Sequence, residues 1–291
     1  MKSIGAWWMV GVLALSGCYE HRTLGFVAPG RDGGAPPPPD GGPFDDLDFG
    51  LGPDVEFGAC GDRTTVHRFD DLRIPTQEEA TAGDPVGHDL DGTSIACGVP
   101  DYARGVDNAF IDFAAAVPQV SPDNPIDLQM ALGRAVQCEP GRADCATLPL
   151  DLQLNRATTS GCAQIVFTDG MGNQVSSVGN GSVLATGALR VELDSLQLTI
   201  PYPTVNGHVD IPLRLRDVIV TATVGDAGLE NIIVGGSLQK GEFEATVRAI
   251  LPLLNTDVAF EDVAAILQAL YDVEVGGGCT GLSVGLRGRA R

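Results

Sequence analysis

The stretch from Val183 to Val224, VLATGALRVELDSLQLTIPYPTVNGHVDIPLRLRDVIVTATV, decides the fold class. Leu189, Val191 and Leu193 alternate with polar residues, as do Leu196, Leu198 and Ile200, and further on Ile211, Leu213 and Leu215. Side chains two apart on an extended chain share one face, so this alternation describes half-buried β-strands; a helix would space its apolar residues three and four apart. Segments of the same texture are Leu148–Leu154, Ala163–Phe167, Val183–Leu193, Leu196–Ile200, Val209–Leu215, Val218–Val224 and Leu229–Val234. The turns between them (TDGMGN, VGNGS, TVNGH, GDAGLEN) leave no room for crossover helices, so neighbouring strands run antiparallel.

Around this block the pattern predicts a strand over Val66–Ile74 and a short helical turn after Pro75. Helices are expected over Val106–Val117 and Ile126–Val136, and again at about Gly241–Leu254 and Val258–Tyr271, the last capped by Asp257. A final strand is expected over Gly281–Arg287. The expected fold is mainly β with a few packed helices (α+β), an antiparallel β-sandwich or roll, disulfide-stapled.

The N-terminus has a different character. Lys2 precedes an apolar run from Ile4 to Leu15, too short for a ~20-residue membrane span but right for an export signal. The run ends in Leu15-Ser16-Gly17-Cys18, which resembles the lipobox of bacterial lipoproteins. That resemblance implies cleavage after residue 17 and acylation of Cys18, with Tyr19, rather than Asp, pointing to the outer membrane. Each buried CH₂ of an acyl chain contributes about 0.8 kcal/mol, so several chains anchor a protein durably. Residues 28–56 are dominated by Pro, Gly and Asp and cannot bury enough surface to offset ordering entropy. The expected organisation is a signal peptide at 1–17, a lipidated tether at 18–57 and a folded β-rich domain at 58–291, with helices near 106–137 and 241–271.

A net charge of −20 disfavours nucleic acid and anionic membrane faces as partners, because phosphate binding needs clustered Lys or Arg. The expected partners are the membrane, through the lipid anchor, and an envelope protein or polymer. Of seven cysteines, six remain beside Cys18: Cys60, Cys97, Cys138, Cys145, Cys162 and Cys279. An even number in an exported chain points to disulfides. Cys138 and Cys145 flank a Pro-Gly turn and are the natural pair; Cys60–Cys97 and Cys162–Cys279 are the pairings expected of the rest. Zinc is disfavoured, since no CxxC occurs and the four histidines are scattered.

The segment most suggestive of chemistry is HDLDGTSIACGVPDYARGVDNAF, residues 88–110. Asp89, Asp91 and Gly92 form the D-x-D-G opening of many calcium loops, where alternate carboxylates turn inward and glycine permits the bend. Asp107 and Asn108 would complete a cage of oxygen ligands, and calcium is the one cofactor suggested. The twelve residues Thr93–Arg104, Cys97 among them, intervene before GVDN, however, and no Glu stands at the twelfth loop position, so this is no EF-hand. The competing reading is a polar turn whose Asp and Asn side chains cap a helix starting near Val106. FDDLRIPTQEEATAG, GHDLDG and GVDNAF together resemble a pattern in lipoproteins of myxobacteria and related bacteria, as do, loosely, DLQMALGRAV and GLENIIVGGSL. The resemblance implies a surface location and no particular activity.

Two motifs are decoys. Gly281-Leu282-Ser283-Val284-Gly285 matches the GxSxG nucleophile elbow, but that motif needs a helix after it and an acid and a histidine downstream, and the six residues beyond Gly285 hold neither Asp, Glu nor His. Gly276, Gly278 and Gly281 match GxGxxG with no following helix. No catalytic constellation emerges. The expected role is a lipid-anchored envelope protein with a binding or structural β domain; a hydrolase of envelope polymers and a carrier of apolar ligands are the alternatives.

Overall fold

The computed structural model describes residues 56–291 except 94–95, 140, 143, 158–160, 206 and 255. The export signal, Cys18 and nearly all of the tether therefore lie outside the described residues. The strands are β1 (Arg63–Arg73), β2 (Asp151–Arg156), β3 (Gly161–Thr168), β4 (Gly179–Val183), β5 (Ala188–Thr204), β6 (Gly207–Val224), β7 (Leu229–Gln239), β8 (Val273–Val275) and β9 (Gly278–Ala290). The helices are α1 (Gln77–Ala82), α2 (Phe110–Val120), α3 (Leu128–Gln137), α4 (Lys240–Ile250) and α5 (Phe260–Gln268).

The alternating residues of 183–224 form two long strands where four short ones were expected. Asp194-Ser195 and Arg216-Asp217, polar enough to read as breaks, face each other across one hairpin: Leu193 pairs with Val218, and Ser195 with Arg216. The irregularity is local, with Asp217 at φ 50°. The alternation does its work on one face, where Leu196, Leu198, Ile200, Leu213, Leu215, Val218 and Val220 are buried in a single apolar core.

Every neighbour in the sheet is antiparallel, in the order β1-β2-β3-β4-β5-β6-β7-β9-β8. The sheet also closes on itself. The first half of β1 pairs with β2, while Phe69–Arg73 pairs with Arg287–Ala290 of β9. Backbone bonds between Arg68 and Arg291, 2.8 and 2.9 Å, seal the seam. The architecture is thus mainly antiparallel β with packed helices, one nine-stranded sheet closed on itself through β1 and β9. Closure removes open edges that would otherwise pair with another chain.

α3 touches both β1 and β5, four strands apart, so it bridges them with one face buried and Gln129, Arg134 and Gln137 exposed on the other. Asp127 caps it, accepting the Met130 amide at 2.8 Å. Phe113 of α2 meets Phe243 of α4 edge to face at 5.4 Å. An apolar cavity of about 50 Å³ remains among Phe113, Leu128, Leu213, Phe243 and Val263.

Several expectations require correction. The helix expected from Val106 begins at Phe110, because residues 106–108 are held in bridges and bonds to the sheet. Asp257 does not cap α5, whose N-cap is Ala259 with no side-chain bond. β8 was not foreseen, three residues being too few to show a period; nor was β4, whose glycines made VGNGS read as a turn, so that the expected strand Val183–Leu193 is split between the end of β4 and the start of β5. Cys138 and Cys145 pair as expected, with Cα atoms 5.9 Å apart, but the other two pairs are exchanged: Cys60 with Cys162 at 5.2 Å and Cys97 with Cys279 at 5.5 Å. The reason for Cys60–Cys162 is visible in two buried amides. Asn155 Oδ1 accepts the amides of Cys60 and Gly61 at 3.1 and 3.2 Å, and Gln164 Oε1 those of Gly58 and Ala59 at 2.9 and 3.0 Å. Residues 58–61 are thereby laid along β2 and β3, beside Cys162.

Candidate metal centre

The chain between α1 and α2 crosses the outer side of β7 and β9, and glycines let it come close. Gly235 and Gly285 pair across the ladder. A Cβ on Gly235 would lie 2.6 Å from the His88 ring, and one on Gly285 would collide with the Val86 carbonyl and sit 2.5 Å from the Asn108 amide. With no side chain there, backbone can settle onto backbone. Asn108 then behaves as a short added strand. Its Nδ2 donates to the carbonyls of Val86 (2.7 Å) and Gly285 (3.1 Å), and its Oδ1 accepts the Gly285 amide at 2.9 Å. Next along, the Ala109 amide donates to Ser283 Oγ at 2.7 Å. Ser283 in turn gives its amide to Asp272 Oδ1 at 2.8 Å and its hydroxyl to Asp272 Oδ2.

These contacts overturn two expectations. Asn108 is fully engaged by the sheet and contributes nothing to a cation cage. Neither it nor Asp107 caps α2, whose N-cap residue is Ala109.

The other three expected ligands do converge. The Asp107 amide donates to the His88 carbonyl at 3.0 Å, setting residue 107 beside the D-x-D-G turn. One carboxylate oxygen each from Asp89, Asp91 and Asp107 then lies within 4.8 Å of the others. The turn is self-bonded: Asp89 Oδ1 accepts the Gly92 amide at 2.7 Å, and Asp91 Oδ1 accepts the amide and hydroxyl of Thr93, both at 2.9 Å. Asp107 Oδ2 accepts the Leu90 amide at 2.6 Å.

A fourth carboxylate was not anticipated. Tyr102 and Val106 form a small bridge around Arg104 and Gly105, both at φ 68°. Tyr102 is fixed by its hydroxyl, which donates to Asp112 at 2.9 Å. This turn brings Asp101 back onto the cluster: Asp101 Oδ2 and Asp89 Oδ2 both lie 3.8 Å from where a Gly105 Cβ would stand. Nothing in PDYARG singles out Asp101 by spacing; only the turn places it.

Three oxygens of the cluster receive no hydrogen bond from a protein donor. Asp91 Oδ2, Asp101 Oδ2 and Asp107 Oδ1 are buried without a hydrogen bond, and Asp107 is 1 % exposed. Burial, with the charges of Asp101, Asp91 and Asp272 added, pushes the Asp107 carboxyl up to about 8 despite the Leu90 amide. Burial raises Asp101 as well, and the Asp91 and Asp89 charges add to it, against the opposing pull of a side-chain contact with Asp107. Among the described residues, no Lys or Arg forms an ion pair with any of the four. His88 does not supply the missing charge, since burial first and Arg190 second push it down to about 4. An all-oxygen, strongly anionic donor set suits a hard divalent cation.

The remaining motif residues are not brought together. Ser283 is fully buried within β9, not at a strand-to-helix turn. His67 bonds Thr65 on β1, and His208 faces Asp210 on β6. No family model, curated protein or solved structure matches this chain.

Proposed function

We propose that this protein is a lipid-anchored component of the cell envelope, held at the outer membrane by an acylated Cys18, and that its closed β domain binds or scaffolds rather than catalyses. The observation that carries this reading is the partition of the cysteines. Six of the seven form three pairs at disulfide distance, and the seventh belongs to the lipobox. Disulfides persist in oxidising compartments, so both halves of the partition favour an exported chain. The junction of tether and domain agrees with a load-bearing link: residues 58–61 are fastened by the Cys60–Cys162 pair and by Asn155 and Gln164, so tension on the tether passes directly into β2 and β3. The buried Ser283 offers no nucleophile to a substrate. The apolar cavity of about 50 Å³ and a more polar one of about 230 Å³ beside Gln197, Arg214, Leu238 and Glu242 both fall short of the roughly 300 Å³ at which ligand pockets begin.

The test is expression of the whole precursor in a bacterial host that processes lipoproteins, beside Cys18→Ser. The unaltered protein is expected to partition into detergent and to carry the mass of added acyl chains on a peptide starting at Cys18; the variant stays in the aqueous phase. A mature protein without lipid mass, with all its thiols titratable, overturns the reading.

A further inference from the structure

The four carboxylates present a physical difficulty that the protein alone does not resolve. Like charges brought together in a half-buried site repel one another, and a buried carboxylate without a partner is costly. Yet the turn, the bridge at Asp107 and the small hairpin at Asp101 all hold the inner oxygens in place rather than letting them swing to water. Asp107 is the decisive member. It is almost completely enclosed, one oxygen is satisfied by Leu90, the other is buried without a hydrogen-bond donor, and the carboxylate sits against those of Asp89, Asp91 and Asp101.

We propose that Asp89, Asp91, Asp101 and Asp107 bind one calcium ion, and that the ion clamps the 84–109 crossing segment onto β7 and β9. The spacing admits the ion: ligands on opposite sides of calcium, at about 2.3–2.6 Å each, stand about 4.6–5.2 Å apart, and one oxygen each of Asp89, Asp91 and Asp107 lies within 4.8 Å of the others. Magnesium, at about 2.0–2.1 Å, asks for a tighter octahedron. Zinc prefers nitrogen and sulfur, which the cluster lacks. The ion completes a fastening begun by protein groups on either side: Asn108 with Gly285, Ala109 with Ser283, and Cys97 with Cys279. This site stands independently of the lipid anchor.

The test uses the full mature protein, stripped with a chelator, titrated calorimetrically with CaCl₂ and separately with MgCl₂, and melted under each condition. One saturable calcium site is expected, with Kd between about 10⁻⁶ and 10⁻³ M, a rise of several degrees in Tm, and magnesium binding more weakly. Asp101→Asn is expected to weaken calcium binding at least tenfold. The same variant is expected to melt at or above the unaltered protein in chelator, because neutralising one carboxylate relieves repulsion, and below it in calcium. A carboxylate with a purely structural role would not reverse sign in this way; melting below the unaltered protein in both media overturns the proposal. Absence of heat and of any Tm shift up to about 10 mM CaCl₂ overturns it too, and tighter binding of magnesium overturns the choice of ion. Asp107→Asn repeats the comparison at the buried member. Should it fail to fold, the half-buried Asp101 still decides.

Discussion

Asp272 is a carboxylate kept where water scarcely reaches: at 4 % exposure it accepts two bonds from Ser283, yet burial still pushes it up to about 6. An unfolded aspartate titrates near about 4. Between those values the folded chain holds the extra proton, so stability falls as pH rises through that window, by about 2–3 kcal/mol. Asp272→Asn does not titrate, and urea unfolding at pH 4 and pH 6.5 is expected to show the variant gaining on the unaltered protein by that amount. A constant difference between the two would place the Asp272 proton elsewhere. The same residue scale shows what spacing reveals and what it hides. Asp89, Asp91 and Asp107 were legible as a group because D-x-D-G is a turn with a known habit of aiming carboxylates inward. Asn108, adjacent to Asp107, looked equally suitable, but adjacent side chains on extended backbone point to opposite sides. Its amide was claimed by Gly285, 177 residues away.

Among the elements, α1 depends most on charge. Thr76 and Glu79 form a reciprocal capping box at its start, and Gly83 closes it at φ 80°. Six residues are too few for a helix to persist by propensity, so tertiary contacts must hold it. Glu79 supplies them, meeting Arg73 of β1 through both carboxylate oxygens, one at 2.6 Å, and Arg287 of β9 at 3.4 Å. The Arg73 guanidinium lowers the Glu79 carboxyl to about 2. Glu79→Gln is expected to cost about 1–2 kcal/mol at neutral pH, discounted for a side chain 23 % exposed. That cost is fully present above the unfolded value of about 4.3 and fades as pH falls toward 2, as chemical denaturation across that range will show. Strand and helix types were readable because periodicity belongs to the local chain. Their lengths were not: Asp194-Ser195 read as a stop, yet opposite Arg216 they continue one hairpin.

At the scale of the whole molecule, stability converges on the seam. Residues 287–291 pair with β1 and β7 at once, and Arg289 and Arg291 meet Asp70 at 2.8 and 3.1 Å. Deleting them is expected to open the sheet along β1, lower Tm by at least about 10 °C and replace a single cooperative melt with a broad one, as calorimetry will report. An unchanged, sharp transition would mean that the helices packed on the strands hold the sheet without the seam. Alternation along the strands, turn residues between them and an even set of cysteines were sufficient to specify an antiparallel, disulfide-linked β domain, because the first two depend on residues within a few positions of one another and the third on composition alone. Closure, the exchange of disulfide partners and the arrival of Asp101 beside Asp89 and Asp107 were decided only in three dimensions. Each joins groups whose meeting depends on how the sheet curls and where a loop lands on it, and that balance of burial and backbone bonding is struck by the whole chain at once.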